Sequence, residues 1–292
     1  MKNKFQGTGV ALVTPFDTVG KIDFPALGRI VEHVINNGVD YLVVLGTTGE
    51  TVTLTKPEKK EILDFVIATN NKRLPIVLGV GGNNTAEIIE TLQHQDISGV
   101  DGILSVSPYY NKPTQEGIFQ HYKAITAACP LPFILYNVPG RTGSNMTADT
   151  CLRIAASCNN VVAVKEASGN MSQIMEILKN KPAGFDLISG DDNLTLAMMS
   201  LGAIGVISVV AQAYPRQYSD MVRHCLAGQF DQARELHFGL HDFINFLFAD
   251  GSPGGIKAAL EVMELCQHYQ RLPLVPVNEN VYQKIKEFIK KA

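Results

Sequence analysis

Eight short apolar runs punctuate the chain: Val10–Val13, Tyr41–Leu45, Ile76–Val80, Gly102–Val106, Phe133–Tyr136, Val161–Val164, Phe185–Ser189 and Ile204–Val210, their starts 19 to 35 residues apart. Each is nearly continuous rather than alternating, the pattern of a parallel strand covered on both faces. Amphipathic segments lie between them. Leu27, Ile30, Val31 and Val34 keep helical spacing and Gly38 follows as a stop. Thr55-Lys56-Pro57-Glu58 reads as a capping box with Pro in the first turn, and Asn84-Thr85-Ala86-Glu87 opens the next helix in a similar way. Eight strands, each followed by a helical segment, predict an α/β fold, a (β/α)8 TIM barrel. After about residue 225 the strand signal stops, and Asp231–Ala249, Gly254–Tyr269 and Asn278–Lys291 read as helices. The expected organisation is a catalytic barrel over residues 1–225 and a small C-terminal helical domain over 226–292. A doubly wound open sheet is the alternative, but its phosphate turn is missing. Gly79-Val80-Gly81-Gly82-Asn83-Asn84 has Asn84 where the third Gly belongs, and Gly251 to Lys257 has Ile256 where a P-loop needs Gly.

Charge and composition narrow the function classes. Lys+Arg is 25 and Asp+Glu is 28, a formal net charge of −3, which removes the electrostatic case for nucleic acid. Charged residues are 18% of the chain, against about 25% in ordinary globular domains, so surface is expected to be hidden in a large core or in subunit contacts. Five Cys with no CxxC give no disulfide framework, and Cys151 and Cys158, seven apart, suit one buried helix face. Met1-Lys2-Asn3-Lys4 is basic, but Val10–Val13 is too short for the apolar part of a signal peptide, and no run approaches a membrane span. A reducing cytoplasm is the expected location, with no membrane partner.

In such a barrel chemistry sits at the C-terminal ends of the strands, and a short set of side chains falls there. Gly46-Thr47-Thr48-Gly49-Glu50 can hold a carboxylate or phosphate in a Gly-flanked turn, or can be an ordinary turn whose Thr caps the next helix. In Ser107-Pro108-Tyr109-Tyr110-Asn111 consecutive tyrosines point in different directions, so at most one reaches the mouth; packing at an interface is the other reading. Tyr136 places a phenol at the rim, and Arg141, in a Gly/Pro loop, suits an anionic substrate or a surface ion pair. Lys165 closes an apolar strand, an unusual place for an ammonium ion, and burial favours the nucleophilic free amine of a lysine. Snorkelling out of the rim is the competing reading. In Ser189-Gly190-Asp191-Asp192 one Asp is expected to cap the following helix rather than bind metal, and His237 and His241 are expected to be packed or solvated. An amine, a phenol, a cation and a hydroxyl-rich turn, with neither metal nor nucleotide motif, suit Schiff-base chemistry on a small keto acid with no cofactor.

Gly46-Thr47-Thr48-Gly49-Glu50, Pro108-Tyr109-Tyr110-Asn111-Lys112-Pro113, the segment from Tyr136 to Gly143 and Val164-Lys165-Glu166-Ala167 together resemble the dihydrodipicolinate synthase family of pyruvate-dependent class I aldolases. The resemblance runs from about Gly7 to the C-terminal helices. The lysine and the Thr turn are shared across the wider aldolase group; the Arg141 loop and the Pro-Tyr-Tyr-Asn segment are more specific to the synthases. It implies condensation of pyruvate with L-aspartate 4-semialdehyde on the diaminopimelate route to lysine. Lys165 would form the imine, and Tyr136 would relay protons with Thr47 and with Tyr110 from a neighbouring subunit. Thr47 and Thr48 would hold the pyruvate carboxylate, Arg141 the carboxylate of the semialdehyde, and Gly190 and Ile207 would line the pocket. The assembly implied is a homotetramer of two tight dimers. A lysine-binding allosteric site would draw on Thr51, Val52, Lys56, Lys59, Asn83, Glu87 and Tyr109, and sensitive relatives carry His or an acid where this chain has Lys56 and Lys59, so weak feedback is expected. Two alternatives stand beside this reading. A sialic acid or 2-keto-3-deoxy sugar acid aldolase would use the same Lys165, but its neutral polyhydroxy aldehyde offers Arg141 no carboxylate. A non-catalytic keto-acid sensor would be expected to have lost the lysine or the phenol.

Overall fold

All eight apolar runs form strands, and the strands close on themselves. The structure, a computed structural model, describes residues 4–291. β1 (Gly7–Ala11), β2 (Tyr41–Val44), β3 (Ile76–Gly79), β4 (Gly102–Val106), β5 (Phe133–Asn137), β6 (Val161–Glu166), β7 (Asp186–Ser189) and β8 (Gly205–Ser208) make a parallel barrel in sequence order. β8 returns to β1 with Gly9 opposite Ile207. A helix follows every strand, from Phe24–Asn36 to Pro215–Leu226. The capping box at Thr55 is formed in full, Asn84 caps the helix Thr85–His94, and Gly38 has the positive φ of 85° that ends the first helix.

The core has two parts. One fills the barrel lumen, with Tyr41, Val43, Leu104, Ile134, Ile188 and Ile207 among its buried residues. The larger part lies between barrel and helices and takes the alternate strand residues, Leu42, Val44, Leu135, Val164 and Leu187. The lumen floor is set by Tyr41, which is fully buried; a Cβ on its register partner Gly9 would come within 2.2 Å of the Tyr41 ring, so only glycine leaves that ring its place.

Several boundaries differ from the sequence reading, β1 running over Gly7–Ala11 rather than Val10–Val13, and three of the differences have a visible cause. β6 continues two residues beyond the apolar run, because Lys165 and Glu166 pair with Tyr136 and Asn137 on one side and with Ile188 and Ser189 on the other. β8 stops at Ser208 and a 3-10 turn, Val210–Gln212, follows, since the Asp192 carboxylate accepts from the N–H groups of Val209 and Val210 at 3.0 and 3.3 Å. The helix expected over Gly254–Tyr269 spans Gly254–Val262; Glu264 adopts φ 60° and turns the chain back. Phe230–Phe248 and Glu279–Lys291 are the other late helices; Phe243 meets Tyr214 edge to face at 4.9 Å and stacks on Phe288 at 5.1 Å between centroids, tying them to the end of the barrel.

His121 on the helix Gln115–Ala127 is buried, with Nδ1 2.8 Å from the Thr85 hydroxyl, and burial pulls its imidazole from the usual 6.5 down to about 4. Between these values the unfolded chain takes up a proton that the folded chain refuses, so stability falls as pH drops through the window. His121→Gln is expected to flatten the pH dependence of the melting temperature between pH 6.5 and 4, checked by thermal unfolding across that range.

Candidate active site

A bulge aims the lysine. Phe133 pairs with Val161 but Ile134 pairs with Ala163, so β6 carries one extra residue there. Val161 packs in the outer core, Val162 and Ala163 both pack with the lumen, and alternation then sends Val164 outward and Lys165 inward. Strict alternation from Val161 would have put Lys165 on the helix side. Its ammonium lies 4.2 Å from the centroid of the Tyr136 ring, its register partner on β5, and the residue is only 6% exposed, which excludes the snorkelling alternative. Among the described residues no carboxylate forms an ion pair with it. A Cβ on Gly190 would lie 2.9 Å from Lys165 Cε and 2.8 Å from Ala167 Cβ, so the glycine after β7 leaves the lysine room.

The outward residues of the same strand ends hold one another. Glu166 is buried and its carboxylate accepts from Asn137 Nδ2 at 3.0 Å, Gln173 Nε2 at 3.0 Å and the Ser168 N–H at 2.7 Å. Asn137 Oδ1 accepts from the Met146 N–H at 3.0 Å, and its amide donates to Asn145 Oδ1 at 2.8 Å. The network fastens β5 and β6 to Asn145 and Met146, just past the short helix Pro139–Thr142 that carries Arg141. Arg141 itself is exposed and has no ion pair among the described residues. Sequence reasoning passed over this network; its only signal was polar Asn137 and Glu166 following the apolar runs.

The Thr turn is a 3-10 turn over Thr47–Gly49 between two left-handed residues, Leu45 at φ 59° and Glu50 at φ 53°. The Thr51 hydroxyl donates to the carbonyls of Leu45 and Gly46 at 2.7 and 2.9 Å, and the Thr14 hydroxyl donates to Gly49 O at 2.7 Å. Thr55 caps the next helix, so neither Thr47 nor Thr48 is spent on capping; Thr47 is exposed and Thr48 buried.

One cavity of about 520 Å³ opens over the strand ends. Thr47, Leu104, Val106, Tyr136, Val138 and Arg141 line its barrel side, and it continues into a groove lined by Thr51, Val52, Lys59, Asn83, Glu87 and Tyr109. The structure therefore brings Thr47, Tyr136 and Arg141 together with most of the residues expected to form an allosteric site. Lys165 adjoins this wall through the Tyr136 ring, Ile207 lies in the lumen core, and Thr48, Gly190 and Lys56 stand outside the wall. Tyr109 and Tyr110 do diverge: Tyr109 lines the cavity, while Tyr110, at φ 71°, is 87% exposed. In the groove, burial pulls the Lys59 ammonium below its usual range, the Glu87 carboxylate opposes that, and the charge of Lys56 adds to it.

Two expectations around β7 and the late helices resolve differently. Neither Asp191 nor Asp192 caps the helix Thr195–Ser200: Asp191 Oδ1 accepts from the Asn193 N–H at 3.0 Å, and buried Asp192 reaches β8, where burial raises its carboxyl pKa. His237 is packed, its ring 6.2 Å from that of His241, and no cluster of three potential metal ligands occurs among the described residues.

The sequence profile of the Dihydrodipicolinate synthetase family matches residues 4–292. The chain belongs to this family. A 4-hydroxy-tetrahydrodipicolinate synthase of Parabacteroides distasonis is 55% identical to it over 98% of this chain and 96% of that protein. The crystal structure of dihydrodipicolinate synthase from Aquifex aeolicus superposes with a TM-score of 0.95 at 42% identity, covering 98% of both chains. The enzyme from Cyanidioschyzon merolae, solved with lysine bound, superposes with a TM-score of 0.95 at 39% identity over 99% of this chain and 98% of that one.

Within this dihydrodipicolinate synthetase family member the tightest constraint on Lys165 is Gly190. Gly190→Ala is expected to displace the amine by up to about 1 Å and to slow its reductive modification by a keto acid and borohydride by about 10²-fold. Melting temperature should fall as well, because the new Cβ also meets Ala167 Cβ, an atom fixed to the backbone, so the rates are compared on protein shown to be folded. Mass spectrometry of the trapped protein against time checks the rate.

Proposed function

We propose that the chain is a 4-hydroxy-tetrahydrodipicolinate synthase that condenses pyruvate with L-aspartate 4-semialdehyde. The observation that carries this reading is the buried, unpaired Lys165 against the Tyr136 ring, beside a cavity wall that holds Arg141. The amine adds to the pyruvate carbonyl and water leaves, giving an imine that draws electrons from the adjacent methyl group. Loss of a methyl proton gives an enamine, whose carbon attacks the aldehyde of the second substrate. Tyr136, helped by Thr47 and by Tyr110 of a neighbouring subunit, moves the protons these steps need. Thr47 and Thr48 hold the pyruvate carboxylate in their turn, and the Arg141 guanidinium takes the carboxylate of the semialdehyde. That cation disfavours a polyhydroxy aldehyde, which has no charge to offer it.

Incubation with pyruvate and borohydride is expected to label Lys165, and Lys165→Ala to abolish labelling while circular dichroism stays unchanged. Arg141→Ala should lower kcat/KM for the semialdehyde by roughly 10²-fold and leave pyruvate trapping near its original rate. Label on another lysine, or turnover of sialic acid in preference to the semialdehyde, would overturn the assignment.

The assembly proposed is a homotetramer of tight dimers, in keeping with Val52 and Tyr110 at 82% and 87% exposure near the cavity. No helix among the described residues is long and apolar enough to cross a membrane, and a cytoplasmic location belongs to the same proposal. Feedback by lysine is proposed to be weak. The groove already holds the Lys59 ammonium facing Glu87 with Lys56 close by, so an incoming ammonium meets like charge where it needs an acid. Activity is expected to persist in millimolar lysine, and Lys56→His with Lys59→His to shift the response toward inhibition, measured as initial rate against lysine concentration.

A further inference from the structure

Behind the Thr turn lies an ion pair that touches no wall of the cavity. Glu50 and Lys257 are both 0% exposed at the side chain and are joined directly, carboxylate to ammonium. The other Glu50 oxygen accepts the Arg271 N–H at 3.1 Å, and the ammonium also donates to Tyr269 O at 2.8 Å. The Arg271 guanidinium donates to Gly20 O at 2.7 and 2.9 Å, to Thr53 O at 3.0 Å and to Glu58. The Phe16 ring packs against both cations, 4.4 Å from Lys257 Nζ and 4.5 Å from Arg271 Cζ. Gly20, the segment from Glu50 to Glu58, the helix Gly254–Val262 and residues 269–271 thus converge on one carboxylate and its partners.

The position of Glu50 gives this network its consequence. It follows Thr47-Thr48-Gly49 immediately and sits at φ 53°, ψ 35°, a left-handed conformation unfavourable to any residue with a Cβ. Such a residue keeps its conformation when its surroundings over-determine it. Here the surroundings are the Lys257 ammonium and the Arg271 N–H, both on the far side of the turn from the cavity. Rotating Glu50 toward a right-handed conformation would swing its carboxylate off those partners and would reorient the peptides of Gly49 and Thr48 along with it. Stability alone is a weak reason for such a pair, since a buried ion pair recovers little beyond its desolvation cost.

We infer that Glu50 and Lys257 are positioning residues for the Thr47–Thr48 turn, so that the late helix Gly254–Val262, which puts no side chain into the cavity, fixes the geometry with which the keto-acid carboxylate is bound. This rests on the reading of Thr47 and Thr48 given above. The double variant Glu50→Gln with Lys257→Met tests it, because it removes both charges together and leaves no buried ion unpaired, while Gln can still accept from the Arg271 N–H. With folding verified by circular dichroism, kcat/KM for pyruvate and the rate of borohydride trapping at low pyruvate are expected to fall roughly ten- to hundredfold. The value of kcat/KM for the semialdehyde should stay within about threefold of wild type, because Arg141 stands on a different strand end. Equal losses for both substrates, or an unchanged kcat/KM for pyruvate, would overturn the inference. Should the double variant not fold, Arg271→Met at the network's partly exposed edge is read in the same way, and collapse of both would make the network purely structural and equally overturn it. Wild-type protein that traps no pyruvate would instead sink the functional reading itself.

Discussion

An amine inside a barrel with no carboxylate beside it among the described residues is the constraint on which the rest of the site depends. Two lysines are buried among the described residues, and they are buried differently. Lys257 has Glu50 and a carbonyl as partners, which satisfies the ion where it lies. Lys165 has an aromatic face, 4.2 Å away, and space left by a glycine. A π-face attracts an ammonium without fixing its direction as a carboxylate does. The first lysine is fastened by its hydrogen bonds, the second is not, and the difference follows from which strand or helix residue lies opposite.

Placing Lys165 takes both local and closed-sheet geometry. The bulge in β6 turns the lysine inward, and pairing with β5 and β7 brings Tyr136 and Ile188 to either side of it. The residues one step along, Asn137 and Glu166, face outward and spend their polarity on Gln173, Ser168 and the 145–146 segment. Alternation along two adjacent strands thus separates reactive groups on the inside from supporting groups on the outside.

Much of this was legible in the sequence, and the exceptions share a cause. Strands covered on both faces announce themselves as apolar runs, and Lys165 stood out because it ends one. Thr55 and Asn84 capped as read, since a cap bonds within its own turn. One of Asp191 and Asp192 was expected to cap the next helix and neither does, because the partners of Asp192, the Val209 and Val210 N–H groups, come from the turn just after the next strand. Lys257 was weighed only as the lysine of a failed P-loop, because a lysine on a helix ordinarily reaches solvent and nothing near it in sequence reveals Glu50, 207 residues away. The over-long helix after Gly254 has the same origin: Glu264 turns left-handed without a Gly or Pro to mark the stop. Signals carried by neighbours in the chain survive in a sequence, while those that arise only on closure of the fold do not.

That division also separates the paired strand ends from the loop beyond them. Lys165 and Tyr136 are embedded in the ladder, paired on both sides, and any change in their spacing must move whole strands. Arg141 rides on a four-residue helix beyond β5, exposed and outside the ladder, and Asn137 holds the chain at Asn145, just past that helix. A change of side chain at position 141 would therefore leave the paired strand ends in place, which is how one barrel can keep its ladder while the loop beyond it is varied.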